Sequence, residues 1–159
     1  MARELPVRRA ARALVLDERD RVLLFRFRDP GAVADHLASP GGGVEGQETD
    51  DEAVRRELQE ELGLRDVRLG PPIWDRVSEF DLLGTWTRVI ERFFLVRLRA
   101  DELEPYAGHL ARENVVAREW WAVEDIEASD EAMWPSQLAR LVRELLRDGV
   151  PPTPLAIGP

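Results

Sequence analysis

Three glutamates, Glu57, Glu60 and Glu61, fall at spacings that put them on one side of a helix if residues 49–62 are helical. They adjoin an apolar arc of Val54, Leu58 and Leu62, spaced by four. Their position is electrostatically adverse. Glu60 and Glu61 lie in the last turn, where the helix dipole disfavours an anion by roughly 0.3–1 kcal/mol each. Glu57 and Glu61 stand at i, i+4, which adds repulsion of about 0.2–0.5 kcal/mol. Asp50, Asp51 and Glu52 occupy the first turn instead, where the dipole welcomes them, and they need no chemistry. A divalent cation reverses the sign of both penalties. Clustered carboxylate oxygens select a hard one, Mg2+ first, with Mn2+ or Ca2+ as alternatives. Directly upstream, Gly41-Gly42-Gly43 offers backbone that a ligand can approach closely. Because Mg2+ keeps waters and shares substrate phosphates, helix and glycine run together suggest phosphate chemistry.

The elements that must position this helix follow from periodicity and punctuation. Apolar runs at 10–16 and 21–27 flank a polar turn at 17–20, the pattern of a β-hairpin or two adjacent strands. Residues 29–46 read as loop, with room for a short strand at 37–39. Thr49 and Glu52 form a capping box that starts the helix, and Gly63 ends it. Strands are predicted near 67–69, 73–80 and 85–98, which suggests a mixed or antiparallel sheet. Residues 100–118 read as loop, before a short strand at 119–123. In 136–148, Leu138, Leu141, Val142, Leu145 and Leu146 make the stripe of a helix packed on that sheet. Pro151-Pro152-Thr153-Pro154 cannot continue it and begins a loose tail. Residues 1–150 are therefore expected to form one domain and 151–159 a C-terminal tail.

Composition narrows the function. All 22 basic residues are arginine, against 31 acids, for a formal charge of −9 in 159 residues. Eight of those acids and only two arginines lie between Glu45 and Glu61, so the acidity is concentrated at the helix. Such a balance disfavours a polymeric nucleic acid as partner, but not a small nucleotide. The absence of cysteine excludes disulfides, zinc-thiolate sites and thiol catalysis. Nothing near Met1 is apolar enough for a signal or membrane span, and the chain is expected to be cytoplasmic.

Gly42, then Glu48 after five residues, then seven more to Arg56-Glu57-Leu58-Gln59-Glu60-Glu61-Leu62-Gly63-Leu64 resembles the Nudix box of the Nudix hydrolases at every defined position over 23 residues. Strands, Trp120-Trp121, Glu124-Asp125 and the C-terminal helix are similarly placed, so the resemblance covers roughly 8–147, with MutT-like and ADP-ribose pyrophosphatase-like bacterial proteins. It implies the Nudix fold, an α/β (α+β) arrangement with a mixed β-sheet sandwiched between helices. It also implies Mg2+-dependent (or Mn2+-dependent) hydrolysis of a phosphoanhydride bond in a nucleoside diphosphate linked to another moiety. Such substrates include a nucleoside triphosphate, ADP-ribose and a nucleotide sugar. Under the resemblance, Glu57, Glu60 and Glu61 are metal ligands, the Gly41 carbonyl is a further one, and Gly41 and Gly42 border the substrate. Arg56 pairs with Glu48; an Arg56 to Glu52 pair at i, i+4 is the local competitor. Glu57 or Glu61 serves as base, or Glu113 in the loop after the last long strand, with Glu102 and Glu104 behind it.

Substrate choice is less constrained. Arg26 and Arg28 share a strand face and could grip phosphate, with Arg76, Arg88 and Arg92 as weaker versions of the idea. Trp74 and Trp86 are more simply strand packing than base stacking. Glu91 is an unusual acid beside the Phe93-Phe94 pair. A non-catalytic Nudix-fold nucleotide sensor is the alternative, and the sequence leaves a homodimer open.

Overall fold

The computed structural model describes residues 4–106 and 114–159. Apolar runs form β1 (Val7–Leu16) and β2 (Val22–Phe27), which pair antiparallel through Leu16 and Val22. Asp17 closes the turn between them by accepting the backbone N–H groups of Arg19 and Arg21, both at 2.9 Å. There follow β3 (His36–Ala38), β4 (Gly41–Gly43), α1 (Asp50–Leu62), β5 (Leu69–Leu82) and β6 (Thr85–Arg97). After them come β7 (Val115–Trp121), α2 (Val123–Ala128), β8 (Ala132–Trp134), α3 (Leu138–Asp148) and β9 (Leu155–Ile157). The strands join in the order β8-β3-β2-β1-β6-β5-β9, with β4 paired to β1 and β7 to β2. The sheet is mixed: β1 runs parallel to β6, and β5 runs antiparallel to it.

Helices cover both faces. Ala53, Val54, Leu58 and Leu62 of α1 pack on Ala11, Ala13 and Val15 of β1. Val54 and Leu58 are fully buried, each contributing about 1.5–3 kcal/mol by the usual area argument. On the other face Leu14 and Leu16 meet Leu138, Leu141, Val142 and Leu145 of α3, with Val123 and Ile126 of α2. This is the α+β layering expected from the sequence. Leu146, expected in the buried stripe of α3, is 37% exposed instead. Trp74 lies in the core against Phe93, ring centroids 5.7 Å apart, whereas Trp86 is exposed.

Several segments differ from the sequence reading: β7 begins at Val115, within the stretch read as loop, and the strands expected near 67–69 and 73–80 are one strand, β5. The glycine run is a strand, not only a turn, because without a side chain it can close on β1: a Cβ at Gly41 would stand 2.3 Å from the Ala11 carbonyl oxygen. Residues 123–128 are helical although Ala122 offers no side-chain cap, so no start signal marked them. The segment read as a loose tail returns to the sheet, where β9 pairs in parallel with Trp74, Asp75 and Arg76 of β5. Among the described residues no helix is long and apolar enough to cross a membrane.

Candidate active site

Helix α1 is held at both ends by its own chemistry. Thr49 accepts the Glu52 N–H at 3.2 Å, and Gly63, at φ +70°, donates to the Gln59 carbonyl in a left-handed cap. No basic residue occupies the last turn, so nothing within that turn offsets Glu60 and Glu61. The cation comes from the preceding turn. Arg56 grips Glu48 with two nitrogens, Nε to Oε1 at 2.6 Å and Nη2 to Oε2 at 3.0 Å. The same guanidinium reaches the Gly43 carbonyl at 2.9 Å, Glu57 Oε1 at 2.9 Å and Glu60 Oε2 at 3.4 Å. Arg56 thus joins the glycine strand, the loop and the helix, and its partner is Glu48, not Glu52. Its bonds to Glu48, together with the Glu45 N–H, pull the Glu48 carboxyl down to about 2. Reciprocally, Arg56 is held above its ordinary value, first by Glu48.

The three helix glutamates stand differently. Glu60 points outward, 58% exposed; Glu57 is largely covered; Glu61 is buried and accepts the Gly41 N–H at 2.8 Å. Gly42 has no side chain where a Cβ would lie 2.4 Å from Glu57 Oε1. The glycine strand and the carboxylates are therefore fitted together atom to atom. Among the described residues no three His, Asp or Glu side chains converge on one point as a ready metal cage. Arg56 draws Glu57 and Glu60 one way, and the Gly41 N–H draws Glu61 the other. By donor type the set still suits a hard cation: several carboxylates beside backbone carbonyls, with no nitrogen or sulfur ligand among them.

On the sheet face away from α1, behind Gly41, lies a cavity of about 480 Å³. Arg12 connects it to the glycine strand. Its Nη1 donates to the carbonyls of Ser39 and Gly41, both at 3.3 Å, and its Nε donates to Glu91 at 2.9 Å. Glu91, only 4% exposed, also accepts from Arg76. The Arg12–Glu91–Arg76 chain crosses β1, β6 and β5 and forms part of the cavity wall. Sequence reasoning flagged Glu91 and, separately, Arg76, but not their pairing, and it missed Arg12. The available signal was parity: Arg12 alternates with Leu14, and Arg76 with Trp74, so each faces the same side as a core residue.

Arg26 and Arg28 sit elsewhere. Arg26 is bound to Glu119 at 2.6 and 3.1 Å, to Glu131, and lies 3.6 Å from Asp35. The hydrogen bonds it donates to Glu131 and then to Glu119 hold it above its ordinary value. Arg28 lies on Asp35 at 3.0 and 3.1 Å. Both guanidinium groups are occupied by carboxylates instead of standing open for phosphate. Arg88 and Arg92 likewise pair with Glu79 and Asp75 across the β5–β6 hairpin. Glu113 lies outside the described residues, and Glu102 caps the N–H of Arg99.

The NUDIX domain model matches residues 6–145. No curated protein matches the chain. Among solved structures, the chain is similar to a MutT protein from Methanosarcina mazei Go1, with TM-score 0.67 and 23% identity over 92% of this chain and 98% of that one. It is similar also to a MutT NUDIX hydrolase from Burkholderia pseudomallei, with TM-score 0.59 and 24% identity over 84% and 95% of the two chains. A C. elegans Ap4A hydrolase gives TM-score 0.58 and 18% identity over 89% and 98%. At these identities the likeness is one of fold.

Proposed function

The chain belongs to the Nudix family, and we propose that it hydrolyses a phosphoanhydride bond in a nucleoside diphosphate linked to another group, using Mg2+ or Mn2+ held by α1. The observation that carries this reading is the fitting of Glu57 and Glu61 against Gly42 and Gly41, with Glu60 one turn from Glu57. Glu57, Glu60, Glu61 and the Gly41 carbonyl would hold the ion. Bound there, a divalent cation supplies Lewis-acid polarisation of a phosphoryl oxygen and an acidified water.

The chain's own residues do the rest. Arg56 fixes the distance between loop and helix through Glu48 and the Gly43 carbonyl, so the carboxylates meet the glycine strand in one register. Arg12 steadies the Gly41 carbonyl from the opposite side and brings a positive charge to the place where substrate phosphates arrive. Glu57 or Glu61 takes the proton from the attacking water, their carboxylates placed by the hydrogen bonds they accept from Arg56 and the Gly41 N–H. Positioning and charge neutralisation of this kind are most of what phosphoryl transfer requires.

The test is phosphate release, coupled through pyrophosphatase or phosphatase, from a panel of nucleotides with Mg2+ or Mn2+, run beside Glu60→Gln. Turnover of at least one nucleotide is expected, with a loss of about two orders of magnitude in the variant, as when a metal's transition-state stabilisation is removed. Equal rates in parent and variant would overturn the metal assignment. Binding of nucleotides with no turnover of any would instead favour a sensor.

A further inference from the structure

The cavity behind Gly41 keeps two polar groups in an unusual condition. Arg76 Nε and Ser78 Oγ are buried without a hydrogen-bond partner, in residues each only 8% exposed. Native proteins rarely leave such groups unmatched unless something else completes them. Arg76 uses its Nη1 on Glu91, and the ring of Trp134 lies over the guanidinium, 5.5 Å from Cζ. Trp134, in this cavity's wall, is 41% exposed.

We propose that Arg76 and Ser78 select the base of the substrate, admitting a purine that presents a carbonyl oxygen beside a ring-nitrogen acceptor, as guanine does, and rejecting adenine. This deepens the pyrophosphohydrolase reading and rests on it. A guanidinium can only donate, so what completes Arg76 must be an acceptor. Guanine offers O6 and N7 side by side, the pair that arginine reads; adenine sets an amino donor beside N7, and cytosine has an amino group where uracil has a lone carbonyl. The cavity does not call for an anion, because Glu91 and Glu79 stand in its wall with Arg12 and Arg76. It does suit a flat ring: Phe27 and His36 stack at 5.0 Å with planes 7° apart, and Phe80 and Trp134 add aromatic wall. Arg12, which borders the cavity and also touches the Gly41 carbonyl, then joins the base site to the phosphate site through one side chain.

The experiment measures binding of GMP, AMP, CMP and UMP in EDTA by quenching of tryptophan fluorescence, so that neither metal nor turnover enters. GMP should bind at least about tenfold more tightly than the others, the worth of one hydrogen bond to a charged group. Arg76→Lys keeps a cation on Glu91 but removes Nε, and the preference should shrink to within about threefold. Ser78→Ala should weaken GMP several-fold without lowering the melting midpoint, since it deletes a hydroxyl that has no protein partner. Parent protein that binds all four within threefold, or prefers another base, overturns the proposal. So does a preference for GMP that survives both substitutions, and Ser78→Ala decides alone if Arg76→Lys does not fold. Turnover of nucleotides without base preference defeats this inference only. A GMP preference with no turnover in Mn2+ defeats the hydrolase reading and leaves base selection standing.

Discussion

Arg56 and Arg26 are built alike and do different work. Each is about one-fifth exposed, each contacts three or more carboxylates, and each is held above its ordinary value chiefly by the hydrogen bonds it donates to them. They differ in where those carboxylates come from and in how the charge balances. The Arg26 cluster sets Arg26 and Arg28 against Asp35, Glu119 and Glu131, contributed by the loop before β3, by β7 and by the approach to β8. It ties together segments distant in sequence and is nearly neutral. Around Arg56 stand Glu45, Glu48, Glu57 and Glu60, with Glu61 a residue further, all from one loop and helix. A single arginine cannot balance five glutamates. A near-neutral cluster is a clamp, whereas an unbalanced one still has capacity for a cation.

The sharpest way to break this distinction is to neutralise one acid in each cluster. Glu57→Gln should lower activity by about two orders of magnitude with little change in melting. Glu119→Gln should leave the rate per folded molecule near that of the parent. Similar losses in both would erase the contrast. A smaller effect is expected of Gly42→Ala. The atoms nearest its Cβ are the carboxylate end of Glu57, so that carboxylate is displaced by about an ångström and activity falls by about tenfold, while the melting midpoint stays put.

Arg26→Ala tests the clamp directly. Removing a partly buried partner of two carboxylates should cost about 1–2 kcal/mol, discounted for solvent, and lower the melting midpoint by about 2–8 °C in a chain of this size. Activity at permissive temperature should persist. A rise in KM with unchanged melting would return Arg26 to the phosphate-gripping role that its sequence position suggested. The mildest effect is one of pH. Arg26 lowers Glu131 below 4.5, and Arg28 first, then Arg26, lower Asp35 below 3.8. Both carboxylates therefore lend stability above those values, and it drains away as pH falls through their folded ones. Melting midpoints between pH 6 and pH 3 should fall less steeply in Arg26→Ala than in the parent; parallel slopes would show that the clamp's charges are not coupled.

The same contrast explains what could be read without coordinates. The helix, its caps and the order of its carboxylates depend on contacts inside a stretch of about twenty residues, so period and spacing carried them. Arg26 finds Glu119 and Glu131 at separations of 93 and 105 residues, and no local pattern announces partners so remote. Arg12 and Glu91, 79 apart, are hidden for the same reason, although an acid beside two phenylalanines was a visible sign of something to be matched. Strands β1, β2, β5 and β6 are long enough to show an apolar run or alternation. Strands β3, β4, β8 and β9 have three residues each, and their conformation is set by the neighbour they pair with. Of these, only the one near residue 37 left a trace in the sequence.

Strand β1 serves both sides of the molecule. Ala11, Ala13 and Val15 lie under α1, while Arg12, Leu14 and Leu16 belong to the cavity and the α3 core. Inserting or deleting a single residue here would exchange the two sets, driving a guanidinium beneath the helix and an alanine methyl to the place where Arg12 meets Glu91. Changes in length along this strand are thus admissible by twos and forbidden by ones, a rule of parity that the loop between β2 and β3 does not share. The history of insertions open to this fold is written in odd and even numbers along ten residues.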